Sequence, residues 1–198
     1  MVIAMRPNGL LGNCGEFFLS QKFKEYPLMR FGDIASIIYE KANSKIMAKL
    51  KIRKSNGWPY LRNEEKGTNF KRKVVEEEYK ITKKLFGYAN YPQFDTISLD
   101  LLSGFPDFLV KNTKIFIEVK VNSSRPTSLQ ESVFSELTKK HQMVFIAKYK
   151  ISFSDFKIEI IYNQYEKILS FKKREKSSLE EIKKAIDSNP KSHKILDI

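Results

Sequence analysis

Apolar positions recur along this chain with two periods, that of a helix and that of a pleated strand. In IASIIYEKA, Ile34, Ile37, Ile38 and Ala42 fall on one helical face, and Asp33 stands where an N-cap belongs. Asn43 reads as a polar break, after which Ser44 caps a second helix, KIMAKLKIRK. Residues 33–54 are therefore expected to form a helix-turn-helix with a basic second helix carrying Lys45, Lys49, Lys51, Arg53 and Lys54. A DNA-reading helix has this character; so does an amphipathic helix with solvated lysines. The stretch 55–69 is rich in turn formers and reads as a linker or wing. Beyond it the helical period returns through Phe70, Val74, Ile81 and Leu85 and stops at Gly87.

The second period then takes over. PQFDTISLD is a strand or loop, and it leads into two short apolar strands, FLV and IFIEVKV. A helix, LQESVFSELTKKH, follows Pro126, and MVFIAKY and FKIEIIYN read as further strands. Near the C-terminus Ser178 and Glu181 have the spacing of a capping box, opening a helix that ends before Pro190. The last eight residues are expected to be poorly ordered. Helix, three strands, helix and two more strands make an α/β domain, a mixed sheet flanked by helices.

Register decides what GFPDFLVKNTKIFIEVKVN can do. With Asn112-Thr113 as the hairpin loop, Lys111 faces Lys114, Leu109 faces Phe116 and Phe108 faces Ile117. Asp107 then stands opposite Glu118, and opposed residues share a sheet face with Cβ atoms about 4.5–5.5 Å apart. Lys120, two residues on, shares that face. Phe108, Val110, Ile115, Ile117, Val119 and Val121 line the other, which is wholly apolar. Two opposed carboxylates repel unless a cation lies between them, and carboxylates plus water suit Mg²⁺ or Mn²⁺. An adjacent lysine would orient a water or stabilise charge growing on a phosphate. The plain alternative is a surface salt bridge to Lys120, and a slip of one residue would separate the two acids.

Composition narrows the partner. The chain has 198 residues and a formal charge of +13, from 36 Lys+Arg against 23 Asp+Glu. That excess favours a polyanion, with nucleic acid the first expectation. A single cysteine, Cys14, excludes an intramolecular disulfide and a cysteine-based zinc cluster, and fits a reducing, intracellular compartment. Two histidines, His141 and His193, leave metal chemistry to oxygen ligands. No apolar run has the length of a membrane span, and the broken N-terminal stretch does not read as a signal peptide.

At GFPDFLV…IFIEVK the sequence resembles the PD-(D/E)XK nuclease superfamily. Over about residues 66–150, TSLQESVFSEL…MVFIAKY included, it resembles archaeal Holliday junction resolvases and VRR-NUC domains. The resemblance implies a restriction-endonuclease-like core and a Mg²⁺- or Mn²⁺-dependent DNA endonuclease, often a homodimer; the expected location is the cytoplasm. It implies Asp107, Glu118 and the Val119 carbonyl as metal ligands, Lys120 as the catalytic lysine and Gln130 as a neighbour of the site. The family carries a further acid on its first helix. Here KGTNFKR places Lys71 at that position, and Glu78, seven residues on and within the apolar stripe, is the first substitute, with Glu77 second.

The expected organisation is a helical N-terminal extension over 1–65, a nuclease core over 66–175 and a C-terminal helix and tail over 176–198. Lys45, Lys49, Arg53, Arg125, Lys139 and Lys148 are the expected DNA contacts. Two further functions stand beside the DNA endonuclease. One is a non-catalytic DNA-binding protein on a degenerate nuclease fold, and the other is an RNA nuclease.

Overall fold

A computed structural model describes residues 7–55, 67–96, 98–154 and 157–189. They fall into two compact units, one built from residues 1–30 and 104–197, the other from 31–103. The expected boundary near residue 65 thus lies inside the second unit, and the N-terminal helix belongs with the sheet.

The sheet unit begins with α1 (Pro7–Lys22) and β1 (Leu28–Arg30). It resumes with β2 (Phe108–Val110), β3 (Ile115–Val121) and α5 (Ser128–Lys139), separated from the first pair by the second unit. It ends with β4 (Met143–Ser154), β5 (Lys157–Ser170), β6 (Lys173–Ser177) and α6 (Leu179–Ser188). The six strands form one sheet in chain order; β3 and β4 are parallel and every other neighbouring pair is antiparallel. This is the mixed, helix-flanked sheet that the alternation of periods predicts.

The hairpin register is the expected one: Phe108 pairs with Ile117 and Leu109 with Phe116. Asn112 takes φ 62°, the left-handed conformation that an asparagine tolerates in a tight turn. The Thr113 hydroxyl closes the turn, donating to the Val110 carbonyl at 2.8 Å and accepting from the Ile115 N–H at 3.1 Å.

One face of the sheet carries the expected apolar set. Phe108, Val110, Ile115, Ile117 and Val119 are buried there with Leu19, Phe23, Phe145, Ile182 and Ile186, so α1 and α6 cover this side. Gly15 permits the close approach of α1: a Cβ at that position would lie 2.6 Å from Val121 Cγ2 and 2.9 Å from Val119 Cγ1. Leu109 and Phe116, on the opposite face, are buried as well.

The expected C-terminal capping box is present. Ser178 accepts from the Glu181 N–H and Glu181 bonds back to the Ser178 N–H, a complete capping box. Thr127 and Gln130 form a second box at the start of α5. The tail after residue 189, the stretch 56–66 of the supposed linker and the first six residues lie outside the described residues.

The second unit contains α2 (Phe31–Ser55), α3 (Thr68–Phe86) and the short α4 (Ser98–Leu101). The expected helix-turn-helix is not there: 31–55 is one continuous helix. Ile34, Ile38, Ala42 and Ile46 are buried at successive four-residue steps, so one apolar stripe runs through Asn43 and Ser44 and overrides their preference for turns. Gly87 ends α3 as expected, in the left-handed conformation with its N–H on the Lys83 carbonyl. On α3 the buried apolar stripe is Val74, Val75, Ile81 and Phe86 rather than the expected set with Phe70 and Leu85. Of PQFDTISLD, expected as a strand or loop, residues 92–96 form a loop and 98–100 belong to α4. No helix among the described residues is long and apolar enough to cross a membrane.

Candidate active site

Where β2 begins, Asp107 and Glu118 bond across to each other's strands. The Val119 N–H donates to Asp107 Oδ2 at 2.7 Å, and the Asp107 N–H donates to Glu118 Oε2 at 3.3 Å. The pairing continues the β2–β3 register by one step, which is why these two side chains meet. Lys120 Nζ lies 2.5 Å from Glu118 Oε1.

The face that carries Glu118 is not open to water, contrary to the alternation argument. Gln130 on α5 covers it, and Glu118 is 1% exposed. Gln130 Nε2 donates to Glu118 Oε1 at 2.7 Å, while its Oε1 accepts from Lys120 Nζ at 3.2 Å and from the Thr127 N–H at 3.0 Å. A single amide therefore closes the capping box of α5 and ties the glutamate to the lysine.

Burial disfavours both charged carboxyls. It raises Asp107, against the Val119 N–H bond, which pulls the other way. Burial first, then the charge of Asp107, push Glu118 up to about 8, against the opposing pull of Lys120. Buried like charges side by side are unfavourable in the absence of a cation, so this is the electrostatic condition a divalent ion would relieve.

A further charge acts on Asp107 from an element that the sequence argument passed over. Glu16 on α1 raises the Asp107 carboxyl by its charge, while Lys120 and Arg30 lower it. Glu16 Oε2 is bound by Arg30 Nη2, the last residue of β1. The available signal was Glu16 directly after Gly15, the residue that lets α1 lie against β3.

Glu78, the expected helix acid, is a member of the other unit. It is fully buried, its Oε1 accepts from the Ser98 N–H at 3.2 Å, and its Oε2 has no partner. The Ser98 hydroxyl donates to the Ala35 carbonyl at 2.7 Å, so Ser98 joins α4 to both α2 and α3. Burial pushes Glu78 up to about 7. Glu77, the second choice, pairs with Lys80 at 3.0 Å and Lys49 at 3.4 Å.

The expected DNA contacts are dispersed. Lys45 and Lys49 are exposed on α2; Arg53 lies at the end of that helix, where side chains are outside the described set. Arg125 is exposed before α5. Lys139 pairs with Glu136 at 2.6 Å. Lys148, adjacent to Lys120 in the β3–β4 register, pairs with Glu166 at 2.6 Å.

Two carboxylates and a backbone carbonyl fit a hard cation that keeps much of its water, as Mg²⁺ does. Among the described residues no group of three or more His, Cys, Asp or Glu side chains is close enough to hold a metal. Comparison of the chain with family models, with curated proteins and with solved structures finds no match.

Proposed function

We propose that the sheet unit is a metal-dependent nuclease that hydrolyses phosphodiester bonds in DNA, on a restriction-endonuclease-like core. The observation that carries this is the meeting of Asp107 and Glu118 at the start of β2 with Lys120 Nζ on Glu118. A surface salt bridge would not require a carboxylate that is 1% exposed, raised by a second carboxylate and covered by a dedicated amide. The charge of +13 favours the polyanionic substrate.

Asp107, Glu118 and the Val119 carbonyl would hold Mg²⁺ or Mn²⁺. When bound, the ion would polarise the phosphate and lower the pKa of a coordinated water. In the hydrolysis the oxygen of a water bonds to phosphorus, one P–O ester bond breaks, and the leaving oxygen takes up a proton. Lys120, held by Glu118 and Gln130, presents a fixed ammonium to the charge that grows on the phosphate. Gln130 keeps that ammonium in place and donates to Glu118, so that Glu118 keeps one orientation. Structure selectivity of the resolvase kind and a homodimer belong to the same proposal, on the resemblance alone.

The test incubates the full chain with branched and linear DNA, and with RNA, in Mg²⁺ or in EDTA, beside Asp107→Asn. Cleavage that requires the metal is expected, with loss of at least about 10²-fold in the variant. Melting should also shift upward with Mn²⁺ in the wild type and not in Asp107→Asn. A wild type that binds DNA equally in EDTA and cleaves nothing would favour the non-catalytic reading. Cleavage of RNA alone would reassign the substrate.

A further inference from the structure

We propose that the open end of the sheet beside this site holds a single strand of DNA, with Lys148 and Lys150 on its phosphates and Tyr162 stacked on a base. The inference deepens the nuclease reading, on which it rests for the place of the scissile bond, by naming the form of DNA that the site takes. Sheet register carries it. Lys120 pairs with Lys148 across β3 and β4, while Lys148 pairs with Gln164 and Lys150 with Tyr162 across β4 and β5. Paired residues share a face, as do residues two apart on one strand. Lys148, Lys150, Tyr162 and Gln164 therefore lie on the face of Glu118 and Lys120. Neighbouring strands are about 4.8 Å apart, so Lys148 adjoins Lys120 and Tyr162 stands about 12 Å from it, Cα to Cα.

The character of this face changes where α5, which packs on β4 and β5, no longer covers it. Along β4 the face reads Val144 and Ile146, both buried, then Lys148, half-buried, then Lys150, exposed. Along β5 it reads Ile168, buried, then Glu166 and Gln164, half-buried, then Tyr162, 55% exposed. Lys148 is held in place: its Nζ donates to Glu166 Oε1 at 2.6 Å, and Gln164 Nε2 donates to the same oxygen at 3.3 Å. The Tyr162 hydroxyl donates to Gln164 Oε1 at 3.2 Å, which restrains the ring. A bulge in β5 beyond the Lys150–Tyr162 pair leaves Ile161 60% exposed beside it. The plain alternative is a solvated strand end, on which lysines keep the sheet soluble. That role accounts for the lysines and gives no reason for two large apolar side chains in water next to them. Fixed cations interleaved with an aromatic ring match single-stranded nucleic acid, which presents both phosphates and unpaired base faces. A duplex keeps its base faces stacked inward and would engage the lysines alone.

The experiment measures binding by the full chain in Ca²⁺, by fluorescence anisotropy over a salt series. The probes are single-stranded DNA, a blunt duplex, the same duplex with a single-stranded arm, and single-stranded RNA. Single-turnover cleavage of the DNA probes in Mg²⁺ is followed in parallel. Tyr162→Ala should weaken binding of the single strand and of the armed duplex about tenfold, and of the blunt duplex by less than about twofold. Tyr162→Phe, which keeps the ring, should retain most of the affinity. Lys150→Gln should lower the slope of log K against log salt by about 0.7 on the single strand. Thermal melting of all three variants should stay near wild type, because both side chains are exposed. Wild-type affinity in Tyr162→Ala, or equal losses on blunt duplex and single strand, would overturn the strand site and leave the nuclease reading to be judged by wild-type cleavage. Tyr162-dependent binding by a wild type that cleaves no probe would support the strand site and overturn the nuclease reading. A Tyr162 effect confined to RNA would overturn the assignment to DNA.

Discussion

Replacing Glu78 by glutamine should make stability depend differently on pH. The carboxyl is fully buried, holds one hydrogen bond from Ser98 and leaves Oε2 without a partner. Burial moves it from an ordinary 4.5 to about 7. Each pKa unit is about 1.4 kcal/mol, so the folded state favours the neutral acid by about 3 kcal/mol at most. The folded protein keeps a proton that the unfolded chain releases above about pH 4.5. The contribution of Glu78 is therefore fully present below that pH and falls until about pH 7, above which it is constant. Glutamine keeps the shape and the acceptor for Ser98 but does not titrate. Relative to wild type, Glu78→Gln should be near neutral at pH 4.5 and about 2–3 kcal/mol more stable at pH 8. Urea denaturation of both proteins at half-unit steps from pH 4.5 to 8 reads this directly. Asp107 and Glu118 are present in both and cancel in the difference. A difference that stays flat across the range, or a variant that loses stability as pH rises, would refute the assignment of Glu78 as a buried neutral acid.

Gln130→Ala should lose about 1 kcal/mol through the broken capping box of α5, seen in urea unfolding. It should also lower cleavage by releasing Lys120 from its place, seen in single-turnover rates. Gly15→Val should lower stability by about 1–3 kcal/mol, because its side chain would overlap Val119 and Val121; thermal melting checks it. Arg174 bonds both Glu131 and Glu166, and Glu131 is 5% exposed. Arg174→Met should therefore cost about 2–4 kcal/mol by leaving a buried carboxylate alone, and Glu131→Gln in the same chain should recover part of it.

What local pattern determines was legible in the sequence. The hairpin register followed from period two and the position of Asn112-Thr113, and it brought Asp107 to Glu118 with no knowledge of the rest. The Ser178–Glu181 box and the glycine stop at Gly87 are contacts within a few residues, so the sequence states them outright. Where local preference and a longer pattern disagreed, the longer pattern prevailed. Asn43 and Ser44 favour a turn, yet Ala42 and Ile46 are buried on a stripe that only one unbroken helix can supply.

The remainder was decided in three dimensions, because it depends on residues far apart in the chain. Alternation separates two faces of a strand but does not say what covers each. Gln130, brought over by α5, is what turns the Glu118 side from a solvent face into a buried site with a raised carboxyl. Glu78 was sought as the third acid because it lies on a buried stripe; it is buried, and Ser98 is its partner. The further negative charge that raises Asp107 comes from α1, 91 positions earlier by the numbering of Glu16 and Asp107. No spacing rule links the two. Only packing of α1 against β3, through a glycine with no Cβ in the way, sets that approach.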